Sequence, residues 1–122
     1  MALHLQTDSN LMLFTGHGEG YVAVNGKRHH QPVVVSAGEV RSDWTATDFA
    51  ALTAAHFDYF LELKPEVLLL GTGARQQFAR PELYRELIRA RIGIEFMDTP
   101  AACRTYNILV AEDRKVVAAV LL

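Results

Sequence analysis

The sequence predicts a mixed α/β domain of three layers, in which a central sheet carries helices on its faces. Two observations lead to this fold class. The second half of the chain alternates apolar strand patterns with helical patterns in the order β-α-β-α-β, which right-handed crossovers fold into a parallel sheet. The first half holds short apolar runs between turn residues, including Asn25-Gly26, a pair typical of a tight hairpin. We therefore expect a mixed sheet, three helices and an N-terminal antiparallel β-meander.

The first third of the chain supplies the short strands of this prediction. Leu11 to Phe14 and Tyr21 to Val24 are apolar runs on either side of a glycine-rich break. Val33 to Val35 is expected to form a return strand, and Val40 to Trp44 a further short strand. The proline before the return strand leaves its pairing partner open.

Helical periodicity begins after Trp44. Thr45 to Asp48 is similar to a capping box, and the apolar positions that follow predict a helix that Pro65 ends. Pro81 and Glu82 open a second predicted helix. Its inward residues are Leu83, Leu87 and Ile88, and Gly93 is placed to close it. The helical positions that face inward in the first helix are Phe49, Leu52, His56, Phe60 and Leu63.

Three further strands and a third helix complete the predicted second half. Glu66 to Leu70 is a continuous apolar run, the pattern of a buried parallel strand. Ile94 to Met97 is the next strand, and Lys115 to Leu122 is the last. The third helix is expected from Thr99 to about Ala111, with Thr99 as the N-cap and a proline at the first helical position.

Composition indicates one domain over residues 1–122. Hydrophobic residues make up 50% and charged residues 21%, and 12 Lys+Arg against 14 Asp+Glu give a net charge of −2. A nucleic-acid-binding domain would normally carry a basic excess, so we expect no nucleic-acid partner. The N-terminus has neither a secretory signal nor the arginines of a mitochondrial presequence, and no apolar run approaches the roughly 20 residues of a membrane span. A cytoplasmic protein is expected.

Two segments are candidates for a binding site because each follows a strand of the predicted parallel sheet. One is the loop from Gly71 to Arg75, and the other is the start of the helix from Thr99 to Asn107. The carboxyl ends of parallel strands meet at one edge, so the two should be neighbours, and such edges commonly bind ligands. A small anion is the candidate ligand. The candidate residues are Gly71, Thr72, Gly73, Arg75, Thr99, Arg104 and Asn107.

Each candidate also has a purely structural interpretation. The loop matches neither a P-loop nor a dinucleotide fingerprint, and its glycines would equally relieve strain in a tight turn. Arg104 would equally pair with Glu95 or Asp98. Cys103, the single cysteine, lies near a helix start that favours a thiolate, yet no histidine is near it in sequence. It is a weak catalytic candidate, and a small buried residue is the alternative.

Metal and cofactor chemistry is not expected. His29 and His30 are adjacent, and adjacent side chains on a strand point to opposite faces, so the two rings are badly placed for one ion. No cofactor motif is present, and none is assigned. His56 on an apolar helix face is most simply a histidine at the edge of the core with a backbone hydrogen bond.

Sequence segments from one end of the chain to the other carry a resemblance to a known family. The most specific is the run from Cys103 to Asn107. The others are Gly16 to Val22, Asn25-Gly26, Trp44, Leu68 to Gly73, Pro81, Gly93 to Met97, Thr99 to Leu109 and Val116 to Leu122. On these residues the chain resembles a family of small single-domain α/β proteins of unassigned function. Its members include a mitochondrial assembly factor for respiratory complex I and an adipogenesis-associated protein.

The resemblance implies the three-layer fold and an accessory or assembly role, and it carries over no catalytic residues. We therefore expect a non-enzymatic protein that works through protein contacts, with a protein partner, a homodimer and a small anion as its candidate associations. The alternative is an enzyme or small-ligand sensor that uses the Gly71–Gly73 loop and the Thr99–Asn107 helix start.

Overall fold

The computed structural model describes residues 11–122, which form eight strands and three α-helices. The N-terminal part is an antiparallel meander of three strands, in which β2 lies between β1 and β3. These strands are β1 (Phe14–Gly18), β2 (Tyr21–Val24) and β3 (Lys27–His29). Asn25 and Gly26, both at positive φ, form the turn between β2 and β3, as the hairpin signal predicts.

The other five strands form one mixed sheet in the order β5-β4-β8-β6-β7. The strands are β4 (Val33–Ser36), β5 (Glu39–Arg41), β6 (Val67–Thr72), β7 (Gly93–Met97) and β8 (Val116–Leu121). Strand β6 runs parallel to both β7 and β8, whereas β4 is antiparallel to β8 and β5. The predicted mixed sheet with a parallel half is confirmed. The return strand that the sequence left unpaired is β4, and it joins the main sheet.

Helical segments cover both faces of the main sheet. The helices are α1 (Ala54–Asp58), α2 (Arg85–Arg89) and α3 (Thr99–Ala111), with single 3₁₀ turns at Phe49–Ala51, Tyr59–Leu61 and Pro81–Tyr84. On one face, α3 and the meander enclose a core that includes Val22, Val35, Leu69, Tyr106 and Val120. On the other face, α1, α2 and the turns enclose a core rich in aromatic rings, with Trp44, Phe57, Phe60, Leu70 and Phe96 among its residues.

The first predicted helix is wrong as a continuous element. Asp48, not Thr45, is the N-cap, and its carboxylate accepts a hydrogen bond from the Ala51 N–H at 3.0 Å. Leu52 then returns to extended backbone, with φ −64° and ψ 138°, and ends the first turn. Thr53 begins a new helix in which the His56 ring nitrogen accepts from the Thr53 N–H at 3.0 Å. The predicted backbone hydrogen bond of His56 is confirmed, and local capping chemistry divides the helix.

The second predicted helix differs at its end. It is a 3₁₀ turn followed by α2, and Arg91 takes the left-handed conformation with φ 62°. Gly93 therefore does not close the helix but opens β7. Ile88, predicted to face inward, has 54% of its surface exposed because the short helix buries only Leu87 fully.

Candidate functional site

The two segments predicted to be neighbours lie side by side at the carboxyl edge of the parallel strands. The Thr99 N–H donates to the Gly73 carbonyl at 2.8 Å, and the Gly73 N–H donates to Thr99 Oγ1 at 2.9 Å. This reciprocal pair joins the end of β6 to the start of α3. The positional part of the site prediction is therefore confirmed, while ligand binding there stays a prediction.

Thr99 is a structural link and not the N-cap of α3. The N-cap is Asp98, whose carboxylate accepts from the Ala101 N–H at 2.8 Å, so that Thr99 is the first helical residue. The Thr99 side chain is buried, and its hydroxyl donates to the Leu121 carbonyl at 2.5 Å. One hydroxyl thus joins β6, α3 and β8, and its donor and one acceptor site are already occupied.

Gly71 and Gly73 serve close packing and turn geometry. A Cβ atom at Gly71 would lie 2.9 Å from Thr99 Oγ1 and 3.1 Å from the Thr99 Cα, so only glycine lets α3 approach β6 this closely. Gly73 has φ +100°, a conformation that side chains rarely adopt. The structural interpretation of these two glycines therefore has direct support.

Strand β6 continues through Gly71 and Thr72, which the sequence predicted to be in the loop, so that Thr72 ends the strand and Arg75 lies in the loop after it. The buried Thr72 hydroxyl donates to the Arg75 carbonyl at 2.5 Å and accepts from the Gln77 N–H at 3.2 Å. These bonds fold the loop back on itself and leave little polar capacity for a ligand. The Arg75 side chain is exposed.

Asn107 and Tyr106, at the end of the most specific sequence run, attach the meander to α3. The Asn107 amide accepts from the Phe14 N–H at 2.9 Å and donates to the Phe14 carbonyl at 2.8 Å, so that one side chain pairs with the strand as a neighbouring strand would. The Tyr106 hydroxyl donates to the Met12 carbonyl at 2.8 Å. The Phe14 and Tyr106 rings meet edge to face. Sequence reasoning missed this attachment because its partners are more than ninety positions away.

Cys103 lies in the core between α3 and the sheet, with 2% of its surface exposed. Burial raises the pKa of the thiol to about 12, although the positive charge of Arg104 opposes the shift. A nucleophilic cysteine needs the opposite shift and an accessible sulfur. The geometry therefore favours the small buried residue.

Arg104 is exposed and lies on the outer side of α3. Within residues 11–122 no ion pair joins it to Glu95 or Asp98, so the structural pairing considered for it is absent there. The Asp98 carboxylate caps the helix instead. Arg104 is therefore a surface cation with no such role in fixing the strand to the helix.

An open cleft of about 570 Å³ lies over the junction. Its floor and walls come from the β1–β2 turn, the loop after β6, the start of α3 and Leu122; they include Gly18, Tyr21, Gly73, Ala74, Thr99 and Pro100. Only two of the seven candidate binding residues, Gly73 and Thr99, reach this cleft. Among residues 11–122, its walls carry one histidine and one glutamate, His17 and Glu19, and neither lysine nor arginine. The cleft is a better match for an apolar group than for an anion.

Of the adjacent histidines, His30 lines a second depression of about 740 Å³ that also borders Leu122. The His30 ring is 6.1 Å from the Tyr21 ring, and the Arg28 guanidinium lies 4.3 Å from the centre of the same ring. Burial, together with the charges of Lys27 and His30, lowers the pKa of His29. Over residues 11–122 there is no group of three or more His, Cys, Asp or Glu side chains that could hold a metal ion.

The chain matches the family described as "Protein of unknown function (DUF498/DUF598)" over residues 14–121. This match covers the meander, the main sheet and all three helices of the described region. The chain belongs to this family. The resemblance to a family of unassigned function is thereby confirmed, and the likeness to an adipogenesis-associated protein stays a prediction.

Solved structures and sequence relatives agree with this membership. A crystal structure of a protein from Bordetella parapertussis is 44% identical with a TM-score of 0.85, covering 91% of this chain and 95% of that one. A "13 kDa major membrane protein" from Francisella tularensis is 30% identical over 106 residues, 86% of each chain.

A bovine protein named "NADH dehydrogenase [ubiquinone] 1 alpha subcomplex assembly factor 3" is 32% identical over 121 residues. The match covers 96% of this chain but spans only 65% of the length of the bovine protein. The family therefore contains assembly factors, as the resemblance implies. Within residues 11–122, no helix has both the length and the apolar character needed to cross a bilayer.

Proposed function

We propose that this chain is a non-enzymatic accessory protein of the assembly-factor type, which acts through contacts with other proteins. One observation carries the proposal: the buried and part-buried polar side chains at the predicted junction are used within the fold. Thr72, Thr99 and Asn107 each bond to backbone groups of neighbouring segments, and Cys103 is buried with a raised thiol pKa. A reaction centre needs a free nucleophile, acid or base, and none of these four side chains is free in that sense.

The surface supports the same proposal. Phe78 lies in the segment between β6 and α2 with 72% of its surface exposed, and Ile88 is 54% exposed. Large aromatic side chains are common anchors of protein contacts. The name of the bovine relative, an assembly factor for NADH dehydrogenase, gives the kind of process in which such a contact would act.

Deletion of the gene in the organism that encodes the chain tests this proposal. We expect lower amounts of one or more multi-subunit complexes on native gels, with NADH dehydrogenase as the first to quantify, and recovery when the wild-type gene returns. The Cys103→Ser variant should restore assembly equally well, because no covalent step is proposed for the sulfur. Unchanged complexes in the deletion strain would contradict the proposal.

A second candidate, a small-ligand sensor or enzyme, is favoured by the cleft that Gly73 and Thr99 line. Its largely apolar walls fit an apolar group, so octanoate and phosphate are suitable contrasting probes in a thermal-shift assay. Ala74→Trp would fill the mouth of the cleft without removing a hydrogen bond, since Ala74 is exposed. A rise in Tm with octanoate that this variant abolishes would favour the sensor, and an effect of phosphate alone would favour the predicted anion.

A further inference from the structure

Strand β7 forms one outer edge of the main sheet, and half of its backbone groups face away from the sheet. The Gly93 N–H donates to the Glu66 carbonyl at 3.2 Å, next to the first residue of β6. Backbone groups alternate between the two sides along a strand. The N–H and carbonyl groups of Gly93, Glu95 and Met97 therefore face β6, and those of Ile94 and Phe96 face outward.

Only one of these outward groups has a partner within residues 11–122. The Gln76 side-chain amide donates to the Phe96 carbonyl at 2.8 Å, at the carboxyl end of the strand. In the described part of the chain, neither the Ile94 N–H and carbonyl nor the Phe96 N–H meets such a partner. Unpaired groups in a row are the template for adding another strand.

The two faces of this edge differ in chemistry. Ile94 and Phe96 point into the aromatic core, and the exposed Phe78 ring lies beside Phe96 on that face. The Phe78 ring is 6.0 Å from the Phe96 ring, and Ile88 belongs to the helix that ends just before β7. Glu95 lies on the opposite face, exposed and outside the ion pairs found in residues 11–122.

We propose that the outer edge of β7 accepts an extended segment of a partner protein as a sixth strand, with a Lys or Arg of that segment beside Glu95 and apolar residues on either side. Main-chain hydrogen bonds to Ile94 and Phe96 would supply affinity, and the alternating side chains would supply specificity. This inference rests on the proposed function, because it names the surface through which the protein contact is made.

The opposite edge of the sheet is protected against such an addition. Strand β5 has three residues, and Glu39 and Arg41 within it form an ion pair at 2.9 Å. Short, charged edge strands resist pairing with other chains. Strand β7 has five residues and a single charged one, so of the two edges it is the open one.

A second copy of the chain fits this edge poorly. If two β7 strands paired antiparallel so that Ile94 met the partner copy's Phe96, each Glu95 would oppose the other, and directly opposed like charges destabilise a strand pair. If Ile94 instead faced the partner copy's Ile94, the strand ladder would need the Ile92 N–H as a donor. That N–H already donates to the Leu87 carbonyl at 3.0 Å. A foreign segment with a basic residue avoids both problems.

Amide hydrogen exchange with blocked peptides of the sequence Thr-Val-Lys-Val-Thr and Thr-Val-Glu-Val-Thr tests the inference. With the Lys peptide near saturation we expect exchange of the Ile94 and Phe96 amides to slow by about tenfold, and with the Glu peptide by less than about twofold. Glu95→Lys should reverse this preference. Ile94→Pro should abolish the protection of Phe96, because it removes an outward donor without breaking a bond to β6; Ile94→Val should retain it.

The outcomes separate this inference from the proposed function. Equal protection by both peptides, or protection confined to other segments, would overturn it. Protection that grows with protein concentration in the absence of peptide, together with sedimentation as a dimer, would assign the edge to a second copy. If the deletion strain loses assembly but Ile94→Pro restores it fully, the edge inference fails while the proposed function stands. If peptide protection is found and the deletion strain is normal, the edge inference stands and the proposed function fails.

Discussion

The two faces of the main sheet are covered in different ways. On one face a single helix of thirteen residues, α3, packs on β6 and β8 and holds the meander through side-chain bonds to backbone. On the other face two helices of five residues and three 3₁₀ turns pack by aromatic contacts. There the Phe57, Tyr84 and Phe96 ring centres lie 5.4–6.3 Å apart. Directional polar bonds order the first face, which we call the polar face. Ring packing orders the second, which we call the aromatic face.

This difference gives the most specific run in the sequence a structural role. Its residues Cys103, Tyr106 and Asn107 are the side chains with which α3 fills the core and attaches the meander. From sequence alone, a polar cluster at a helix start suggests a binding or catalytic site. In the structure, the Tyr106 hydroxyl and the Asn107 amide bond instead to part-buried backbone groups of Met12 and Phe14.

The largest effect is expected on the aromatic face. Phe57 is fully buried among other rings, so Phe57→Ala should lower the free energy of unfolding by about 4 kcal/mol through lost burial and the cavity that remains. Urea unfolding followed by circular dichroism measures the change. Phe78→Ala is the matched control, because its ring is 72% exposed and the loss should be within about 1 kcal/mol. Equal losses for the two variants would contradict the assignment of this core.

On the polar face, Asn107→Ala should lower the free energy of unfolding by about 2–3 kcal/mol, since it leaves the Phe14 N–H and carbonyl without partners in a part-buried site. Asn25 offers a matched control. Its side chain makes two similar bonds, to the Leu13 N–H and the Leu11 carbonyl, but in an exposed position with φ 49°.

Asn25→Gly keeps that conformation free of strain and should lower the free energy of unfolding by less than about 1 kcal/mol. If Asn25→Gly were as costly as Asn107→Ala, the exposure of the bond would not decide its contribution. Hydrogen exchange of the Phe14 amide gives an independent measurement, and it should accelerate in the Asn107 variant alone.

The two adjacent parallel strands β6 and β8 were predictable because each is a long apolar run. The strands expected at Glu66 to Leu70 and Lys115 to Leu122 correspond to β6 (Val67–Thr72) and β8 (Val116–Leu121). The interruptions of the helices were not predictable, because a single capping side chain determines where each short helical segment begins. Asp48 and Thr53 provide two such caps within six residues. A periodic pattern of apolar residues continues across such a break.

The proximity of the two candidate segments was predictable, but the hydrogen bonds of their side chains were not. Parallel-sheet topology alone places the loop at Gly73 beside Thr99. What the side chains bond to depends on contacts between distant segments, such as Asn107 with Phe14, and on close approach, such as Gly71 with Thr99. Neither leaves a local pattern in the sequence. The cytoplasmic location and the anion expected from the sequence stay predictions.

Two variants of Thr99 test the link between the polar face and the carboxyl edge of the parallel strands. Thr99→Val removes a hydroxyl that bonds Gly73 and Leu121, and should lower the free energy of unfolding by about 1–2 kcal/mol. Thr99→Ser retains the hydroxyl and should recover most of the loss. If the serine variant were no better than the valine variant, the methyl group and not the hydroxyl would join the three elements.

The buried Cys103 thiol, on the polar face, should make the free energy of unfolding depend on pH. Its pKa is raised from 9.0 to about 12 in the folded protein, so between these values the unfolded chain loses the thiol proton while the folded chain keeps it. Stability should therefore fall as pH rises from about 9, and this part of the slope should vanish in Cys103→Ala. A thiol reagent at neutral pH should label the native protein far more slowly than the unfolded one. Rapid labelling of the native protein would contradict the buried assignment.

The smallest effect on stability is expected at Arg104, on the solvent side of the same helix. Arg104→Ala removes an exposed cation that has no ion pair with Glu95 or Asp98 in the described residues, so the free energy of unfolding should change by less than about 0.5 kcal/mol. Its effect should instead fall on binding. Measured by calorimetry, any affinity for phosphate should fall in this variant, whereas Arg104→Lys retains the charge and should lose less. A loss of several kcal/mol in stability with binding unchanged would show that Arg104 belongs with Asn107 among the residues that hold the polar face together.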